Sequence, residues 1–194
     1  MLDIRVHAEN LRPHTKGVLL DVVTVVSVEG EDVWKQTSGF LSKGAKLSSS
    51  SPYKDKQPTD GRILEPVAFD EYDATPTAKY RVTPADIQEY AQASGDKNPI
   101  HVSGIGAKAF GFPAVIAHGM WSAATMLRGL EGVLPSAARF SVEFAKPVTL
   151  PTTVAFFAEA AGDKAYPRPS EWDLQLRKAS NLKTLHAVGK VERI

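Results

Sequence analysis

The stretch Tyr90–Ala107, YAQASGDKNPIHVSGIGA, gathers the residue types on which the rest of the chain turns. Upstream of it, Thr83 can cap a helix, Pro84 suits the first turn, and Asp86 completes a Thr-x-x-Asp capping box. Ile87, Tyr90, Ala91 and Ser94 then share one face at helical spacing, and Gly95 is the expected terminator. Pro99 fixes its own φ and drives Asn98 out of the helical region, so Asp96 to Asn98 must turn sharply and a second helix can restart at Pro99. This spacing puts a carboxylate, Asp96, and an imidazole, His101, at the mouths of two facing helices. An Asp and a His five residues apart in a turn are also common as plain capping and turn residues, so spacing alone leaves both readings open.

The longer pattern is more specific. An aromatic residue, two spacers, a small residue, Ser-Gly-Asp-x-Asn-Pro, an aliphatic residue, His, five spacers and Ala run unbroken from Tyr90 to Ala107. This resembles the signature of the MaoC-like (R)-specific enoyl-thioester hydratases and 3-hydroxyacyl-thioester dehydratases. The resemblance implies an α+β hotdog fold, in which an antiparallel sheet wraps a central helix. It also implies that Asp96 and His101 jointly hold and activate a water, that Asn98 orients the loop or the water, and that the Gly119 amide bonds the thioester oxygen.

Working outward, the second informative stretch is His118-Gly119-Met120, which opens a helix with Met120, Ala123, Ala124, Leu127 and Leu130 on one face and with small residues Ser122, Ala123 and Ala124 that would let a sheet wrap closely around it. No Ser, Thr, Asp or Asn stands in its capping place, so backbone N–H groups there are expected to be free for a ligand. His118 itself reads as a cap or a packing residue. By the resemblance, the insertion bearing the signature is residues 84–110 and the central helix runs from Gly119 to Leu130. Phe110, Phe112, Trp121 and Met126 are candidates to line an acyl tunnel, with core packing the alternative.

The strands come in two sets. Leu2 to Ala8, Val18 to Val28 and Asp32 to Leu41 form an opening meander around the turn Glu29-Gly30-Glu31-Asp32, with no helix to cover it. Ala78 to Val82, Ala138 to Phe144, Thr153 to Ala160, Glu171 to Lys178 and Leu185 to Arg193 make about five antiparallel strands, with Pro147 and Pro151 at a bend. The last three echo the opening three, which predicts a weak internal repeat. The expected organisation is residues 1–42 as the incomplete remnant of an N-terminal hotdog, 43–76 as a flexible linker rich in Ser, Lys, Pro and Gly, and 77–194 as a complete hotdog domain. Ile63, Leu64, Val67 and Phe69 are expected to lie against a sheet.

Composition excludes several classes. The formal charge of +1 among 194 residues, with basic residues scattered, gives no field for nucleic acid. The absence of cysteine removes disulfides, thiolate metal sites and a cysteine nucleophile. No apolar run reaches membrane-spanning length and the first ten residues have no signal-peptide character, so a cytoplasmic protein with no membrane partner is expected. His7, His14, His118 and His186 fall in different elements, without zinc-site spacing, so neither a metal nor a cofactor is expected.

The chemistry implied is reversible addition of water to a 2-enoyl thioester of coenzyme A or acyl carrier protein, giving an (R)-3-hydroxyacyl thioester. It needs a base for the water proton, a proton source at the α-carbon and a donor for the enolate-like oxygen. Two alternatives stand beside it: a hotdog thioesterase, and a non-catalytic acyl-binding subunit of a heteromeric dehydratase. A homodimer is the expected assembly, with a heterodimer the alternative.

Overall fold

In a computed structural model, residues 1–64, 70, 74–161 and 169–194 are described, so Val67 and Phe69 lie outside the described residues. The chain falls into two compact units, residues 1–62 and 63–194.

The first unit is a three-stranded antiparallel meander, β1 (Leu2–His14), β2 (Gly17–Val28) and β3 (Glu31–Lys43). The strands run longer than their apolar cores predict. The β2–β3 turn needs only Glu29 and Gly30, whose φ of 52° and 88° give the twist of a tight two-residue hairpin. Glu31 and Asp32 therefore belong to β3 and not to the turn. On one face Leu19, Asp21, Val23 and Ser27 are buried, and Asp21 accepts from Arg12 Nη1 and Asn10 Nδ2, both at 2.8 Å. Leu2, Ile4, Val6, Trp34 and Phe40 are exposed. The segment read as a free linker is pinned in part: Thr15 N donates to Thr59 O at 3.0 Å, Thr59 N to Pro13 O at 3.3 Å, and the His14 ring lies 2.8 Å from Asp60 O.

The second unit carries β4 (Ala78–Val82), α1 (Pro84–Ser94), α2 (Pro99–Val102), α3 (Gly104–Ala109), α4 (Gly119–Arg128), β5 (Ala138–Phe144), β6 (Thr152–Ala161), β7 (Glu171–Lys178) and β8 (Asn181–Arg193). Its five strands pair antiparallel in the order β4-β6-β7-β8-β5, and α4 packs on β7 and β8. Alternation does the sorting. Val154 and Phe156 on β6, Leu174 and Leu176 on β7, and Ala187 and Val191 on β8 turn the same way, and all are fully buried with Met126. Each large side chain so buried contributes about 1.5–3 kcal/mol of transfer free energy.

The buried face of α4 differs from the expected one. Ser122, Ala123, Thr125 and Met126 are buried, whereas Met120 is 53% exposed and Ala124 is exposed. Small residues on the inward face let the sheet approach closely, and apolar character alone did not identify that face. The helix also ends earlier, with Gly129 at its C-cap. A Cβ there would stand 2.2 Å from the Phe156 ring, and one on Gly189 would stand 2.9 Å from the Met126 terminal methyl. Helix and sheet are seated through these two side-chain-free positions. Met126 is therefore core and Phe110, 68% exposed, is not.

Candidate active site

The predicted joint forms as its residue types require. Thr83 Oγ1 accepts from Asp86 N, the Asp86 carboxylate accepts from the Thr83 hydroxyl at 2.8 Å and from Thr83 N at 2.7 Å, and these bonds, the hydroxyl's first, lower the Asp86 pKa. Gly95 ends α1 at φ 76°, a left-handed conformation that glycine adopts without strain. Asp96 follows, its Oδ1 accepting from Asn98 N at 3.1 Å, and Asn98 caps α2 by accepting from Ile100 N at 3.3 Å. Asn98 is thus a loop-former here. Pro99 starts α2, and Gly106 of α3 lies so close that a Cβ would meet the Pro99 ring at 2.6 Å. Ile87, Ala91 and Ala107 are buried, while Ser94 is exposed.

A second track brings His118 and Gly119 to this joint. The small apolar run before them is bonded to the chain between β5 and β6: Ala117 N donates to Val148 O at 2.9 Å and Leu150 N to Val115 O at 3.0 Å. Ile116 is tied to α2, its N donating to Ile100 O at 3.2 Å. The His101 ring closes the same link, Nδ1 lying 2.8 Å from Ile116 O. A carbonyl only accepts, so the proton sits on Nδ1 and the neutral ring keeps Nε2 as a free base. Burial lowers the His101 pKa, with the Ile116 bond and the Asp96 charge opposing that effect and His118 adding to it.

Asp96, His101 and His118 present side-chain N and O atoms all within 4.8 Å of one another. Asp96 is open to solvent and both histidines are buried. The His101 and His118 rings stack with centroids 3.8 Å apart at 26°, and the Tyr90 ring lies 5.0 Å from His118 on a tilt of 51°. His118 Nε2 donates to the Asp96 carbonyl at 2.9 Å, with the carboxylate Oδ2 farther off at 3.8 Å. His118, read from the sequence as a cap or packing residue, therefore meets the expected Asp96–His101 pair. Near-parallel rings so close direct their in-plane lone pairs side by side and not at one point, which is a poor metal-ligand set.

Gly119 opens α4 beside them. His118 is its N-cap residue and makes no side-chain cap bond, so the helix starts with uncapped N–H groups as its sequence predicted. A Cβ on Gly119 would touch the Phe144 ring at 3.4 Å. The structure thus draws Asp96, Asn98 and His101 into one joint and sets His118, immediately before Gly119, within it. His118 is the member that the candidate set lacked. The available signal was a His closing the apolar run Ala114–Ala117, a setting that pulls a ring inward.

A helix-turn-helix bearing an Asp/His pair, inserted between the first strand and the central helix of an antiparallel sheet, defines a class: the chain belongs to the MaoC-like domain family, whose pattern matches residues 70–177. The fold is a hotdog. Among individual proteins, the chain is 45% identical over 174 residues to 3-hydroxyacyl-thioester dehydratase X of Mycobacterium tuberculosis, covering 90% of this chain and 56% of that protein. It therefore spans little more than half of this curated relative. The crystal structure of HtdX from Mycobacterium tuberculosis superposes with a TM-score of 0.74 at 39% identity, over 100% of this chain and 67% of that one. A MaoC-like dehydratase from Phytophthora capsici shares the fold, with a TM-score of 0.70 at 21% identity over 100% of this chain and 64% of the other.

Proposed function

We propose that the second unit is a hydro-lyase that interconverts 2-enoyl and (R)-3-hydroxyacyl thioesters of coenzyme A or acyl carrier protein in fatty-acid metabolism. The observation that carries this reading is the free Nε2 of a buried His101, its proton held on Nδ1 by Ile116 O, next to the Asp96 carboxylate and to the uncapped start of α4. In the hydration direction a water bound between Asp96 and His101 gives a proton to His101 Nε2 as its oxygen bonds the β-carbon. The electron pair of the double bond moves to the α-carbon and thioester oxygen, where the Gly119 N–H and the positive end of the helix dipole hold the charge. A proton from the Asp/His pair then reaches the α-carbon. Asn98 acts by shaping the turn that aims Asp96.

Membership of the family and 45% identity to a protein named as a 3-hydroxyacyl-thioester dehydratase support this assignment. The first unit repeats the strand order of β6-β7-β8, which supports reading it as the closing strands of another hotdog, joined by residues 43–76 to the domain 77–194. No helix of the described residues is long and apolar enough to cross a membrane. A cytoplasmic site of action and assembly as a homodimer are further parts of the proposal.

The test is loss of enoyl absorbance when the protein meets crotonyl-CoA, repeated with a long-chain enoyl-CoA, with the product resolved as the (R)-3-hydroxy isomer. Release of free thiol instead of water addition would make the protein a thioesterase. No turnover of either substrate would sink the assignment.

A further inference from the structure

His118 stands outside the reaction just described, yet it touches every part of it. The residue is 2% exposed, its ring 3.8 Å from the His101 ring and 5.0 Å from the Tyr90 ring. Nδ1 is buried with no hydrogen-bond partner among the described residues, so the ring's orientation rests on Nε2 and on the two ring faces. Nε2–H bonds the main-chain oxygen of Asp96 across 22 residues of sequence. The backbone of the same residue is the N-cap of α4, one peptide before the Gly119 N–H.

We propose, building on the hydro-lyase reading, that His118 is a positioning residue that fixes the Asp96–His101 pair at a set distance from the Gly119 donor. The Nε2–H bond holds the exposed loop bearing Asp96, whose other bonds among the described residues are local, to Ser94, and within the Asp96–His101 turn. The ring face holds the plane of His101, whose Nδ1 bond to Ile116 O fixes one direction but leaves rotation about that bond open. Because both constraints issue from the residue preceding Gly119, base, acid and oxyanion donor share one frame. A misplacement of about 1 Å in such a frame costs on the order of 10²-fold in rate. That loss falls on kcat, since acyl and carrier contacts that bind the ground state are untouched.

Three variants separate the elements of this proposal. His118→Gln carries an amide N–H to the same reach and keeps the bond to Asp96 O. His118→Phe keeps the ring and loses the bond, and His118→Ala loses both. With crotonyl-CoA, Gln, which loses the ring, should fall by about tenfold, Phe, which loses the bond, by about 10²-fold, and Ala further than either, all with KM within about threefold. Phe at the parent rate, Gln as slow as Ala, or losses seen in KM alone would each overturn the proposal. The second readout needs no turnover: in the full chain labelled with ¹⁵N, His118 should show an Nε2–H tautomer in slow exchange and His101 an Nδ1–H tautomer. With ¹³C labelling added, the Asp96 carbonyl shift should move more in the Phe variant than in the Gln variant. If the parent protein hydrates no enoyl thioester but these spectra behave as described, the hydro-lyase reading fails and the positioning role stands. An Nδ1–H tautomer at His118, or Asp96 shifts unchanged in Phe, would remove it.

Discussion

Two meanders of one topology meet opposite fates in this chain. In β6-β7-β8, Val154, Phe156, Leu174, Leu176, Ala187 and Val191 are buried to the last few Å² under α4. In β1-β2-β3, Leu2, Ile4, Val6, Trp34 and Phe40 alternate just as cleanly and remain about half exposed or more. Strand propensity and tight turns suffice to make either sheet, but only one of them has a helix within its own unit to close an apolar core. The same helix supplies the uncapped N–H groups at the site. Core and chemistry in the second unit thus depend on one element that the first unit, among the described residues, does not have.

This contrast can be broken most severely at the site. His101→Ala and Asp96→Asn should each lower enoyl-thioester hydration by about 10² to 10⁴, the usual worth of a general acid–base group, with the melting temperature near that of the parent. Near-parental turnover in either folded variant would detach the chemistry from the α1–α2 joint. Next comes the helix start: Gly119→Pro removes an N–H while keeping a φ that helix starts accept, and should cost roughly 10² to 10³ in turnover. Gly119→Ala is its control, because its methyl meets only the face of Phe144 at ordinary contact distance. Equal rates in the two variants would leave Gly119 a packing residue.

Stability sharpens the same comparison. Leu176→Ala, under α4, should cost about 2–5 kcal/mol in denaturant unfolding, the range for truncation in a packed core. Ile4→Ala, on the open face of β1, should stay within about 0.5 kcal/mol. If both cost the same, the open face is covered in solution and the contrast fails.

Acidity gives the smaller effect. Burial lowers the pKa of both His101 and His186 in the second unit from the ordinary 6.5. In the window between 6.5 and the lowered folded values the unfolded chain binds more protons, so stability rises with pH there. The melting temperature should be level above neutrality and fall as the pH drops below 6.5. On the proposed mechanism turnover needs neutral His101, so it should be lost as the pH falls through its lowered value and be level by neutral pH. A melting temperature indifferent to pH from 7 to 5 would contradict the buried, neutral histidines.

The parts of this molecule that could be read from sequence are those set within a few residues. Thr83, Asp86, Gly95, Asn98 and Pro99 act on their own backbone neighbours, and the α1–α2 joint forms as they dictate. The strand alternation was equally legible, because each side chain's face follows from its parity. What escaped depends on distant partners. The buried face of α4 is chosen by where Gly189, Phe156 and the sheet leave room, which favoured Ser122 and Thr125 over Met120 and Ala124. His118 joined the site through a bond to a carbonyl far away in sequence, and no periodicity reports such a contact. The stack of His101 on His118 was likewise not foreseen, because the spacing of His7, His14, His118 and His186 says nothing about His101.

Gly129 and Gly189 carry a lesson for genetics. In a saturation screen scored by growth, Gly129 should be as intolerant as Asp96 and His101, and Gly189 less so, although neither glycine belongs to the proposed site. A Cβ on Gly129 would overlap the buried Phe156 ring, whereas one on Gly189 would meet the movable terminal methyl of Met126 at 2.9 Å. Scoring each variant for cellular abundance as well as for activity would divide the intolerant positions into two groups. Variants at Gly129 should vanish from the cell, and those at the acid–base pair should accumulate inert.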